Sequence, residues 1–188
     1  MAVVAFFGGS FNPPHIGHVL AVTYVLSTQP VDEVLVVPCY RHPFAKELAP
    51  FEHRFAMCEL AMGWIPRARV SRVEQELGGE SRTLRTLQHL YATQPQNQYR
   101  LVVGADVLLE GSRWYGFDEI KKLAAPIVLG RAGIVAPGAP PPLLPDVSST
   151  KVRNALKANA RDELEAIVPR AVLSYIEAHG LYQEEERR

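Results

Sequence analysis

Apolar and polar positions alternate between two rhythms along this chain. Val3-Val4-Ala5-Phe6-Phe7 is a continuous apolar run, as expected of a strand covered on both faces. Similar short runs rich in β-branched residues recur at 33–37, 69–73, 100–103 and 126–129. Between them the apolar positions take a helical period, at 16–27, 51–62, 81–94 and, more briefly, 118–123. Strands alternating with helices over short connections predict an α/β fold built on a doubly wound parallel sheet. Ligands of such sheets bind beyond the carboxyl ends of the strands.

After the last strand the pattern breaks. The stretch 133–145 (GIVAPGAPPPLLP) carries five prolines and no charge, so neither a helix nor a full ladder of sheet hydrogen bonds can form there, and a surface loop is expected. Ser148-Ser149-Thr150 then supplies an N-cap cluster for a helix to about Ala158, and a last helix runs over 169–179, with Pro169 at its start and Gly180 just past its end. The tail from Glu184 to Arg188 is expected to be solvated, and no internal repeat is present. All 188 residues are expected to form a single domain, with a C-terminal helical segment from about residue 149.

Charge and cysteine content narrow the setting. Twenty basic residues balance twenty acidic ones, which argues against a protein that coats nucleic acid, since that affinity comes from neutralising many phosphates. Cys39 and Cys58 form neither a zinc nor a redox spacing. The apolar start lacks a basic flank and runs into Gly8-Gly9, so a strand is expected there and not a signal peptide; no stretch approaches a membrane span. A cytoplasmic protein with neither nucleic-acid nor membrane partners is the expectation.

The densest chemistry lies in Gly8-Gly9-Ser10-Phe11-Asn12-Pro13-Pro14-His15-Ile16-Gly17-His18. This stretch links the first strand to the first helix, and so brings main-chain N–H groups and the positive end of a helix to the sheet edge, where an anion is stabilised. Neither G-x-x-x-x-G-K-[ST] nor G-x-G-x-x-G is present. His15 and His18, three residues apart, can face the same side of the first turn, and Gly17 between them lets a ligand approach the backbone. Two histidines at this spacing without a third ligand do not make a zinc site. Surface or capping histidines would be the plain reading of such a pair alone, but the Gly-Gly and Pro-Pro steps around them define one stiff loop.

This stretch resembles the signature of the nucleotidylyltransferase superfamily, whose Rossmann-like fold also occurs in class I aminoacyl-tRNA synthetases. Val147-Ser148-Ser149-Thr150-Lys151-Val152-Arg153 is similar to the I-S-S-T-x-I-R element of these enzymes. Within the superfamily, Ser81-Arg82-Thr83-Leu84-Arg85-Thr86-Leu87 is similar to S-x-T-x-x-T-L, and Gly104-Ala105-Asp106 with Trp114-Tyr115 downstream is similar to G-x-D followed by W. Val37-Pro38, a basic loop ending at Lys46 and a helix carrying Arg54 and Met57 complete the likeness to the nicotinate (nicotinamide) mononucleotide adenylyltransferases.

The resemblance implies that nicotinate mononucleotide and ATP are joined to give nicotinate adenine dinucleotide and pyrophosphate, a step of NAD biosynthesis, with Mg²⁺ accompanying ATP. It implies His18 and His15 as catalytic residues. ATP would be held by Gly9, Ser10, Phe11, His15, His18, Lys46, Gly104, Asp106, Ser149, Thr150 and Arg153, and the mononucleotide by Gly8, Ser10, Thr83, Trp114 and Tyr115. No metal ligand is implied among the side chains. The loop Arg41-His42-Pro43-Phe44-Ala45-Lys46 departs from the family's P-P-H-K, which leaves its mononucleotide contacts open. Phosphopantetheine adenylyltransferase and a non-catalytic nucleotide-binding protein of the same fold are the alternatives. A synthetase is disfavoured, because 188 residues leave no room for an anticodon-binding domain.

Overall fold

The computed structural model describes residues 1–43, 47–110, 114–134 and 137–183. Its centre is a parallel sheet, which among the described residues has five strands in the order β3-β2-β1-β4-β5. The strands are β1 (Val3–Gly9), β2 (Glu33–Pro38), β3 (Ala68–Val70), β4 (Gln98–Gly104) and β5 (Ala124–Leu129). Register is set by apolar pairs such as Phe6 with Leu35 on one side and Phe6 with Leu101 on the other. Pro126, which cannot donate to a ladder, lies in the edge strand β5, where that loss is tolerated.

Successive side chains of a strand point to opposite faces, and the continuous apolar runs split accordingly. Val4 and Phe6 of β1, Leu35 and Val37 of β2, and Leu101 and Val103 of β4 enter one buried cluster. Ala5, Val34, Val36 and Val102 enter the other. The first cluster is covered by α3 (Val73–Leu77), α4 (Thr83–Thr93) and α6 (Phe117–Leu123), through residues such as Leu84, Leu87 and Ile120. The second is covered by α1 (Ile16–Thr28), by α2 (Phe51–Cys58) with its π-helical continuation over Glu59–Gly63, and by α7 (Ser149–Lys157), α8 (Arg161–Ile167) and α9 (Arg170–Ala178). A short α5 (Val107–Glu110) follows β4.

Three differences from the sequence pattern have local causes. The third strand stops at Val70, and Val73 instead opens α3, sending its side chain into the same core by a different geometry. Helices α3, α5 and α8 have at most seven residues, too short for a full amphipathic period to stand out. The 133–145 segment is tied at its base, where Leu143 and Leu144 donate main-chain hydrogen bonds to Gly130 O and Ala132 donates to Leu144 O. Ser148 caps α7 by accepting the Lys151 N–H, as expected from its hydroxyl.

The chain moves from β1 outward through β2 and β3, then returns to pair β4 on the other side of β1. Strand order therefore reverses between β1 and β4, and a crevice opens beyond their carboxyl ends, at Gly8, Gly9 and Gly104.

Candidate active site

The β1–α1 loop is fixed through its main chain by residues remote in sequence. Arg54 Nη1 donates to Ser10 O at 2.9 Å, Arg153 Nη1 to Asn12 O at 2.7 Å and the Ser149 hydroxyl to Pro13 O at 2.8 Å. Asn12 is buried, and its Oδ1 accepts from the Ala49 N–H at 3.0 Å and from the Tyr182 hydroxyl at 2.9 Å. Arg153 Nη2 also reaches Thr150 Oγ1 at 3.2 Å, so the start of α7 and the loop form one block. Ser149, Thr150 and Arg153 are thereby brought to the loop from more than 130 positions away, although the Ser149 hydroxyl proton is committed to Pro13.

His15 is the N-cap of α1 and His18 lies one turn in; their rings stack with centroids 3.8 Å apart. The His15 N–H donates to His18 Nδ1 at 3.1 Å. That ring nitrogen is therefore the acceptor, and in the neutral imidazole the proton sits on Nε2. Phe11, itself buried with a left-handed φ of 44°, meets the His18 ring edge-on at 4.8 Å and supports it from below. Its side chain therefore supports the histidine pair and does not line the cavity described below. Gly17 is needed because a Cβ there would press on both Val147 and the His15 ring.

Burial, reinforced by the guanidinium of Arg131, lowers the His15 pKa to about 4. Burial, with His15 and Arg131 beside it, also holds His18 well below the usual histidine value. Both rings are neutral at pH 7. His15 Nδ1 is enclosed by protein at the first turn of α1, beside the His18 main chain. Arg131, just beyond β5, is itself held by the Val147 carbonyl. It escaped the motif reading, and its one signal was its place: a cation at the carboxyl edge of a sheet strand.

Beside this block lies a cavity of about 440 Å³, lined by Gly8, Gly9 and Ser10 on one side and by Ser81, Arg82, Thr83, Trp114 and Tyr115 on the other. All five residues expected at the mononucleotide therefore share one cavity. Trp114 is half-buried against Phe117, whereas the Tyr115 ring is exposed and approached by Arg82. Asp106 follows β4, where its carbonyl accepts from Leu109 N–H, and its carboxylate lies over Gly104, where any Cβ would collide with it. Lys46 lies outside the described residues. Glu74 and Arg54, both buried, belong to the walls and foundation of this site; Arg54 lay within the family likeness without an assigned role, and Glu74 carried no motif signal.

Two stacked histidines, the start of α7 and Arg153 thus meet at the sheet switch point, with an aromatic-walled cavity beside them, an arrangement suited to a nucleotide-binding α/β protein. Residues 6–155 match the cytidylyltransferase-like family model. A protein of Anaeromyxobacter dehalogenans named "Probable nicotinate-nucleotide adenylyltransferase" is 46% identical, over 96% of this chain and 96% of its own. A protein of Thermus thermophilus with the same name is 36% identical, over 96% of this chain and 99% of its own. The solved structure of Plasmodium falciparum nicotinic acid mononucleotide adenylyltransferase complexed with NaAD superposes with a TM-score of 0.83 at 18% identity, covering 97% and 98% of the two chains, a likeness of fold. The chain belongs to the nicotinate-nucleotide adenylyltransferase family within the cytidylyltransferase-like proteins, as its motifs led one to expect. No helix among the described residues is long and apolar enough to cross a membrane.

Proposed function

We propose that this protein transfers the adenylyl group of ATP to nicotinate mononucleotide. An oxygen of the mononucleotide 5′-phosphate forms a bond to the α-phosphorus of ATP, the bond from that phosphorus to the β-phosphate bridge breaks, and pyrophosphate leaves. The attacking oxygen is already an anion, so no general base is required. Alignment and donors aimed at developing charge supply the catalysis.

The observation that carries this reading is the stacking of His18 on His15 at the start of α1, with a tautomer that turns the His18 Nε2–H into a donor. His18 would donate to the α-phosphate, with His15, Ser10 and the Gly9 backbone beside it. Thr150, Arg153 and the start of α7 would hold the outer phosphates, together with Ser149 through its main chain and Lys46. Asp106 over Gly104 suits the vicinal hydroxyls of a ribose, since a carboxylate can accept from both. Gly8, Thr83, Trp114 and Tyr115 would receive the mononucleotide, the indole face offering a platform to its flat ring. Relatives at 36–46% identity bearing the nicotinate name support the acid over the amide.

Among the described residues no group of three or more His, Cys, Asp or Glu could cage a metal ion. The donors at the loop are ring nitrogens, hydroxyls and guanidinium groups, which fit phosphate oxygens. Mg²⁺ would therefore arrive on the phosphates of ATP as part of that substrate.

The test is pyrophosphate release with ATP and Mg²⁺, offering nicotinate mononucleotide, nicotinamide mononucleotide or phosphopantetheine in parallel. Fastest turnover with nicotinate mononucleotide is expected. Silence with both pyridine nucleotides and turnover with phosphopantetheine would overturn the proposal.

A further inference from the structure

Two buried charges meet on one residue of the β2–α2 loop. Arg54, 1% exposed, donates Nη2 to Tyr40 O at 3.4 Å, while its Nη1 holds Ser10 O and its Nε holds Ala49 O at 2.8 Å. On the opposite side, Glu74, 8% exposed, accepts the Tyr40 N–H on Oε2 at 3.2 Å and the Thr86 hydroxyl on Oε1 at 3.2 Å. Ser81 shares the Tyr40 N–H at 2.8 Å, takes the Arg41 N–H at 3.3 Å and hydrogen-bonds Glu74 itself. A continuous chain of contacts therefore runs from Ser10 in the phosphate loop, through Arg54, Tyr40 and Glu74, to Ser81 at the head of α4.

Stability does not explain this arrangement. Separated buried charges are costly to desolvate, and packed apolar groups of similar volume commonly serve a core as well or better. What the chain of contacts does supply is a fixed separation between the two sides of the cavity, one carrying Ser10 and the histidines and the other Ser81 and Thr83.

We propose that Arg54 and Glu74 are paired positioning residues, a buried brace across Tyr40 that sets the phosphate loop against the mononucleotide cavity and so aligns the two reacting phosphates. This rests on the adenylyl-transfer reading above. Neither side chain takes part in bond making. Misplacement by about 1 Å can cost about 10²-fold in rate, so a small slackening of the brace is felt in kcat.

Three variants of the full chain test this. Glu74→Leu removes the acceptor while keeping bulk, and a loss of about 10²-fold in kcat/KM is expected. Glu74→Gln should recover most of that loss, because its carbonyl can accept from Tyr40 and Ser81 while its amide donates to the Thr86 oxygen. Thr86→Val alters a residue that is 1% exposed and absent from the cavity wall; its hydroxyl is shared between Glu74 Oε1 and the Arg82 carbonyl one turn back in α4, a main-chain acceptor already bonded to the Thr86 N–H, and the variant should lower kcat/KM roughly tenfold through the Glu74 contact. It also guards against failure of Glu74→Leu to fold. Each is assayed well below its melting midpoint, and amide hydrogen exchange is followed at Tyr40 and Arg41, where Glu74→Leu should cut protection and Glu74→Gln should restore it. Wild-type kcat/KM in folded Thr86→Val and Glu74→Leu, or unchanged exchange at Tyr40, would overturn the brace. A wild type silent towards pyridine mononucleotides would overturn the underlying reaction instead, and the exchange data would still decide whether the brace exists.

Discussion

The two sides of the crevice are built by opposite means. The side proposed to take the phosphates is a main-chain loop whose Ser10, Asn12 and Pro13 carbonyls are each gripped by a distant side chain, beside the neutral pair of buried His15 and half-buried His18. The cavity side is a set of loop-borne side chains, in which Trp114 is half-buried and Tyr115 is 70% exposed. Fixed dipoles stabilise developing charge best when they need not reorganise during the reaction. A flat ring asks less of its host, since an aromatic platform works over a range of offsets. On the proposed function, rigidity is concentrated where charge moves and relaxed where shape is read.

This contrast can be broken by experiment. The largest effect should come from His18→Ala, which is expected to lower kcat by about 10²–10³ in the pyrophosphate assay while leaving the KM for mononucleotide nearly unchanged. An equal change in both would erase the division of labour.

Next in size is a pH effect confined to the phosphate side. His15 has its pKa lowered to about 4 in the folded protein from the ordinary histidine value of 6.5, so between these values the unfolded chain binds more protons. Its stabilising contribution is therefore complete above pH 6.5, falls as pH drops and is lost below about 4, a span of about 3 kcal/mol for this group. Urea unfolding of wild type and His15→Gln across this range should show the slope diminished in the variant. Trp114→Ala should raise the KM for mononucleotide roughly tenfold and spare that for ATP. The smallest effect belongs to Tyr182→Phe, which removes the hydroxyl donor to Asn12 and should cost about 1 kcal/mol in unfolding free energy.

Legibility in the sequence follows the same divide. The β-branched runs disclosed the sheet, because strands covered on both faces need apolar residues at every position, and the loop motif disclosed the histidines, because their geometry is local to one helix turn. Ser149 and Arg153 were visible as a motif, but that they brace Asn12 and Pro13 was not, since nothing in a sequence pattern states which carbonyl a distant guanidinium will meet. Arg131 went unnoticed, because its one signal was its position just beyond β5. Glu74 was hidden for another reason: it sits in a five-residue helix among charged neighbours, where a solvated face is the ordinary expectation. Its burial results from the packing of α3 against α4 and β2, a tertiary outcome.

One contact has a consequence for the order in which the protein can be made. Asn12 of the β1–α1 loop takes a hydrogen bond from Tyr182, which is synthesised 170 positions later. A ribosome-bound chain that has not yet released Tyr182 carries the Gly8–His18 stretch without the full set of restraints that shape it. If the loop takes ATP as proposed, a chain cut before Tyr182 should hold ATP more loosely than one that includes it.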